Sequence, residues 1–144
     1  MNYVLDTNII IHILTGSDKG VKALEKTQTD NPYLIISIVT KAEIISIAKQ
    51  RNWGKSRLKS LHSLLDEFLI ISIDNDNIIN AYAEIDAYSQ GKLKDKTLNQ
   101  SSRNMGKNDL WIAATTYLTK STLLTTDSDF DHLDNEYFAL EKFN

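Results

Sequence analysis

The chain has 144 residues, 42% of them hydrophobic and 24% charged, which suits one soluble globular domain able to bury an ordinary core. It contains no cysteine, so a disulfide framework and a thiolate metal site are excluded, and any metal falls to oxygen ligands or to three scattered histidines. The formal net charge of −3 predicts no strong nonspecific attraction to nucleic acid; such binding needs a local basic patch, or cations that cancel clustered acids.

No basic region precedes the first apolar stretch, which Asp6 interrupts, so no signal peptide is expected. No window approaches the roughly 18 consecutive apolar residues of a membrane span. A cytoplasmic protein is therefore expected.

Tyr3-Val4-Leu5 reads as a short strand that delivers Asp6 into a turn, and Ile9, Ile10, Ile13 and Leu14 begin a helix directly after Asn8. Asp18 to Thr29 carries a sparser helical pattern through Val21, Ala23 and Leu24, and Asn31-Pro32, with the only proline, breaks the chain. The β-branched run from Tyr33 to Val39 predicts a strand buried on both faces. Thr40-Lys41-Ala42-Glu43 opens the next predicted helix, with Ile44, Ile47 and Ala48 on one face and Arg51 near its end. Lys55 to Phe68 repeats the helical period through Leu58, Leu61, Leu64 and Leu65. A third strand is expected over Leu69–Ile73 and a helix over Asn75–Gln90.

Gly91 to Lys107 has no such period. It is polar, holds two glycines, and carries Lys92, Lys94, Lys96, Arg103 and Lys107 against one acid, Asp95. Asn108 to Thr119 is a strongly apolar helix, Thr122 to Asp127 a fourth strand that ends in acid, and Tyr137 to Phe143 a short last strand. Strands alternating with helices predict an α/β domain over residues 1–144 with a mainly parallel sheet.

Four acids stand at the ends of these segments. Asp6 and Asp127 lie at carboxyl ends of predicted strands, where open parallel sheets bind ligands. Glu43 and Asp109 lie in first turns of predicted helices. A short loop puts Glu43 on the same rim. The Asp109 helix, because it precedes a strand, is expected to start at the opposite edge, so its acid reaches the rim only if the long segment before it reorients it.

Each acid also has a plain structural reading. Asp6 caps a helix, Thr40 and Glu43 form a capping box, Asp109 complements a helix amino end, and Asp127 with Asp129 organises an Asx turn. Four such coincidences at the ends of the most apolar segments favour a shared function. Converging carboxylates repel unless a cation neutralises them, and all-oxygen ligands select Mg²⁺ or Mn²⁺. That is chemistry for phosphodiester hydrolysis.

Leu5-Asp6-Thr7-Asn8, Thr40-Lys41-Ala42-Glu43-Ile44, Asn108-Asp109-Leu110-Trp111-Ile112-Ala113-Ala114 and Thr125-Thr126-Asp127-Ser128-Asp129-Phe130 resemble the ordered motifs of PIN domains, most closely the VapC-type toxin ribonucleases. The resemblance implies a single-domain, Rossmann-like three-layer fold whose acidic cluster binds Mg²⁺ and cleaves RNA. It matches Asp6, Glu43, Asp109 and Asp127 to that cluster, with Asp129 in an assisting position and Asn8 and Thr126 at polar positions beside it. It further implies a small antitoxin partner, whose tail occupies the active-site groove, and a homodimer. The length of the Gly91–Lys107 segment departs from compact relatives, so substrate specificity does not carry over.

Within this reading Asp6 and Asp109 hold the principal metal, Glu43 orients water and Asp127 completes the site. Lys92, Lys94, Lys96, Arg103 and Lys107 are candidates to neutralise RNA phosphates, beside the plainer reading of a solvated loop. His12, His62 and His132 read as surface or packing residues; Trp53, Trp111, Tyr82 and Tyr117 are candidates to stack on bases, but their apolar spacing reads better as core. Two rivals remain: a non-catalytic interaction module that uses the acids only as caps, and a response-regulator-like domain with Asp74 as phosphoacceptor.

Overall fold

The computed structural model describes residues 1–28 and 31–144, so Thr29, expected to end the second helix, lies outside the described residues. The elements run β1 (Asn2–Leu5), α1 (Thr7–Thr15), α2 (Asp18–Thr27), β2 (Tyr33–Ser37), α3 (Ile38–Gln50), α4 (Lys55–Leu65), β3 (Leu69–Ile71), α5 (Asp76–Ser89), α6 (Lys107–Leu118), β4 (Thr122–Thr125), a 3-10 helix (Ser128–Leu133) and β5 (Ala139–Lys142). One sheet holds the five strands in the order β3-β2-β1-β4-β5, and every pairing is parallel.

The sheet is covered on both faces, which explains the unbroken apolar runs in its strands. Alternate side chains of β1 serve different layers. Tyr3 and Leu5 join Ile36 and Leu124 against Ile9, Ile10, Ile44 and Leu61 from α1, α3 and α4. Val4 joins Ile35 and Leu123 against Ile85, Ile112 and Phe130 on the other face.

β2 stops at Ser37, two residues before the predicted end. The Ser37 hydroxyl accepts a hydrogen bond from the Val39 amide (3.1 Å) and caps α3. A local cap thus overrides the β propensity of Ile38 and Val39, as propensity is only a weak prior. Thr40 therefore lies inside the helix and the expected Thr40–Glu43 capping box does not form. The Thr40 hydroxyl is instead buried without a hydrogen-bond partner among the described residues. Other boundaries shift by smaller local effects: α4 ends at Leu65, β3 at Ile71, and β5 spans Ala139–Lys142. Asn75 caps α5 by accepting from the Ile78 amide (3.1 Å).

The expectation that the Asp109 helix starts at the far edge is overturned. α6 ends at Leu118, shortly before β4 begins at Thr122, and β4 is parallel to β1. A helix feeding a parallel strand runs antiparallel to it, so the amino end of α6 lies at the carboxyl edge of the sheet. Residues 90–106 connect α5 to that edge and are held down along the way. Lys96 Nζ donates to the Glu136 carbonyl (2.9 Å) and lies 4.2 Å from the Tyr137 ring centre. The Arg103 amide donates to the Ser89 carbonyl (2.7 Å) and its Nη1 to the Ser128 carbonyl (3.2 Å).

Candidate active site

Asp6 extends the β1–β4 ladder by one bond, its amide donating to the Leu124 carbonyl (3.0 Å). Its carboxylate does two jobs. Oδ1 accepts from the Thr7 amide (2.7 Å) at the start of α1, and Oδ2 accepts from the Thr125 hydroxyl (2.8 Å). The side chain is 4% exposed. Burial pushes its carboxyl up to about 6 against the pull of the Thr125 and Thr7 hydrogen bonds, and the charges of Asp127 and Glu43 add to the rise.

Thr7 and Thr125 tie the neighbouring acids to this centre. The Thr7 hydroxyl donates to Glu43 Oε1 (2.8 Å), which holds the second turn of α3 against the start of α1. The Thr125 hydroxyl also accepts from the Asp127 amide (3.0 Å). Asp127 Oδ1 accepts from the Asp129 amide (3.0 Å) and caps the 3-10 helix, so the turn role and the site position coexist.

Asp109 stands in the first turn of α6. Burial is the chief force that pushes its carboxyl up to about 7, followed by the charges of Asp6, Asp127, Asp129 and Glu43. Asp109 therefore stands within the field of the other four acids. Among the described residues, Asp109, Asp127 and Asp129 each offer an oxygen within 4.8 Å of the others. Asp129, matched by the motif to an assisting position, is the exposed member of this group. The donor set is carboxylate oxygen throughout, which fits a hard divalent cation and gives a soft one no purchase.

Residues 3–136 match the PIN domain. The chain belongs to the PIN domain family. It is 30% identical to Ribonuclease VapC1 of Haemophilus influenzae (strain R2866) over 125 residues, 87% of this chain and 86% of the relative. In fold it is similar to VapBC2 from Rickettsia felis bound to a promoter DNA fragment (TM-score 0.75, 23% identity, 100% of each chain). It is also similar to VapBC-1 of nontypeable Haemophilus influenzae (TM-score 0.72, 24% identity, 99% and 98% coverage). FitAcB of Neisseria gonorrhoeae is a third (TM-score 0.69, 25% identity, 99% and 96% coverage).

The remaining candidate residues of this PIN domain divide by position. Asn8 is exposed in the first turn of α1, and Thr126 is half-buried between Thr125 and Asp127. Arg103, Asn104, Met105, Gly106 and Asp129 line a cavity of about 360 Å³. Lys92, Lys94 and Lys107 are exposed. Lys96 is engaged with Glu136 in an ion pair (3.4 Å) and serves to tie down its segment.

His12 Nδ1 shares a hydrogen with the Ser17 hydroxyl (2.7 Å), and His62 is exposed. His132 is buried against Ser89 Oγ (2.7 Å); burial and then the charge of Arg103 push its imidazole down to about 4. Trp53 packs in the core, and Tyr82 packs against Trp111 with ring centres 4.3 Å apart. Tyr117 departs from its expected core position. It is 42% exposed near the end of α6 and packs at right angles to Tyr137, with ring centres 5.3 Å apart.

Sequence reading missed Thr7 and Thr125, which organise the acids. The signal was strand register. Leu5 pairs with Leu124, so the next residue of each strand, Asp6 and Thr125, must also face each other. The motif directs attention to Thr126, one position too far.

Proposed function

We propose that this PIN domain is a metal-dependent endoribonuclease of the VapC type, acting as the toxin of a toxin–antitoxin pair. The observation that carries it is the gathering of Asp6, Glu43, Asp109, Asp127 and Asp129, with burial and mutual repulsion raising Asp6 to about 6 and Asp109 to about 7. Such a group is stable in its ionised form only around a cation. Its oxygen donors favour Mg²⁺, with Mn²⁺ as substitute.

When bound, that ion would neutralise the carboxylates, polarise a phosphate oxygen and acidify water. Asp109, Asp127 and Asp129 are the residues best grouped to hold it, with Asp6 behind them. Thr125 and Thr7 keep the Asp6 carboxylate fixed, so its oxygens need no reorganisation during the reaction. Glu43, anchored through the Thr7 hydroxyl, orients the attacking water. The reaction is in-line hydrolysis: the water oxygen bonds to phosphorus as the bond to the leaving ribose oxygen breaks, and that oxygen takes up a proton.

The curated relative is named a ribonuclease and the solved neighbours are VapBC assemblies. By that likeness the partners are RNA and an antitoxin protein; a second copy of the chain is proposed from the motif resemblance alone. No helix among the described residues is long and apolar enough to cross a membrane.

Purified wild type and Asp109→Asn, both checked for folding by circular dichroism, should be incubated with structured RNAs in Mg²⁺, Mn²⁺ or EDTA. Cleavage that requires metal and disappears in the folded variant is expected. A folded wild type that binds neither ion in calorimetry and cuts no RNA would leave the acids as caps and favour the non-catalytic interaction module.

A further inference from the structure

We propose that the α3–α4 hairpin is a second RNA-binding surface, gripping substrate phosphates away from the cleaved bond; this rests on the ribonuclease reading above. Residues 44–65 contain no Asp or Glu, and within them stand Lys49, Arg51, Lys55, Arg57 and Lys59. All five side chains are exposed. Acids outnumber Lys and Arg by 19 to 16 in this chain, so an acid-free stretch with this many cations is a local inversion of its charge. The ion pairs of the described residues lie elsewhere: Lys26 pairs with Glu141, Lys96 with Glu136 and Lys142 with Asp131. Among the described residues, none of the five hairpin cations takes part in an ion pair.

The hairpin arranges its charge against its own stability. α4 has no acid in its first turn and no side-chain cap at Gly54, while Lys55 opens the helix. A helix amino end carries roughly half a positive charge and is stabilised by acids. Cations there build a positive potential that a polyanion relieves. The frame is also fixed: Trp53 is 8% exposed, packs with Ala48 and Leu61, and carries the Arg57 guanidinium 5.4 Å from its ring centre.

Two features select a nucleic acid backbone over an acidic protein. The other exposed residues over 46–60 are polar or glycine (Ser46, Gln50, Asn52, Gly54, Ser56, Ser60). Protein interfaces are instead depleted in Lys and Ser, whereas nucleic acid interfaces are polar and strongly positive. The surface also begins on the helix that carries Glu43. Lys49 lies six residues beyond Glu43 on α3, a rise of about 9 Å, within reach of a strand that extends a few nucleotides from the cleaved bond.

The test uses the full chain carrying Asp109→Asn, titrated in EDTA against fluorescein-labelled single-stranded RNA over a salt series. Lys55→Gln/Lys59→Gln in that background is compared with Lys22→Gln/Lys120→Gln, which removes the same charge from exposed positions elsewhere. The hairpin variant is expected to lower the salt slope by about 1.4 and weaken binding roughly ten- to thirty-fold at about 0.1 M salt, while the control binds as its parent does. In the chain with Asp109 intact, the hairpin change should raise KM on long RNA, and leave kcat and the cleavage of a short oligonucleotide unchanged. Equal RNA binding by the two variants overturns the proposal while leaving wild-type cleavage in place. Loss of binding to a polyglutamate peptide with RNA binding intact assigns the surface to an acidic protein and overturns it too. A wild type that neither cuts nor binds RNA overturns the ribonuclease reading, and the hairpin proposal falls with it.

Discussion

Asp6 and Asp109 are placed both to support the fold and to carry the proposed chemistry, with opposite consequences for stability. Their carboxyls rise from the ordinary 3.8 to about 6 and about 7, chiefly through burial. An acid whose folded value exceeds its unfolded one binds more protons folded than unfolded between those values. Its stabilising protonation is fully present below the unfolded value and is lost as pH rises through the folded one. The metal-free protein is therefore expected to lose stability from about pH 4 to about pH 7 and to change little beyond. Asp109→Asn removes one crowded charge and keeps the size of the side chain. In EDTA near pH 8 it should melt about 2–4 °C above wild type, the shift that roughly 1 kcal/mol gives in a chain of this length. Near pH 4 the two should coincide. Thermal unfolding followed by circular dichroism reads both; a variant less stable than wild type near pH 8 would mean that Asp109 acts mainly as a helix-end charge.

Elements set these residues in place, and of the chain's glycines it is Gly20, where α2 crosses α1, that has no room for a side chain. A Cβ on Gly20 would stand 2.2 Å from the His12 carbonyl oxygen and 2.4 Å from its carbon. Neither is a flexible side chain, so one helix must move. Gly20→Ala is expected to destabilise the protein by about 3 kcal/mol, the upper range for overpacking, and to disturb α1, which carries Thr7. Gly54→Ala, where nothing lies within 4 Å, should be nearly neutral. Urea unfolding of the two variants distinguishes a steric limit from a general glycine effect, since the latter would move both alike.

Much of this arrangement was legible in the chain because the central strands are buried on both faces and announce themselves as apolar runs. The start of α3 was not, since Ser37 caps a helix from within such a run. The orientation of the Asp109 helix follows from the parallel sheet: the expectation that a helix preceding a strand starts at the opposite edge sent it to the wrong side, whereas the motif resemblance had put its acid in the cluster. The hairpin cations were overlooked for a different reason. They stand on regular helices, where charge reads as a solvated face, whereas the irregular 91–107 segment makes its charge conspicuous although one of its cations, Lys96, is spent on Glu136.

At the scale of the whole molecule, the five acids come from four separate segments: the β1–α1 turn, α3, α6 and the turn after β4. They meet only when the sheet and its crossovers are formed, so an unfolded chain offers no comparable cation site. A ligand that binds only the folded state stabilises it by mass action, by about 2.7 kcal/mol at a hundredfold excess over Kd. For this chain length that is a rise of roughly 5–10 °C in Tm. Mg²⁺ or Mn²⁺ must displace the protons that Asp6 and Asp109 retain up to about 6 and about 7. The metal-induced rise should therefore be small near pH 5 and reach its full size near pH 8, opposite in sign to the trend of the metal-free protein. Melting curves with EDTA and with saturating Mn²⁺ across that range measure the difference directly. A rise of the same size at every pH would place the ion on groups other than these carboxylates. A rise that grows with pH in wild type and collapses in Asp109→Asn would tie the cation, the repulsion and the catalytic centre to the same side chains.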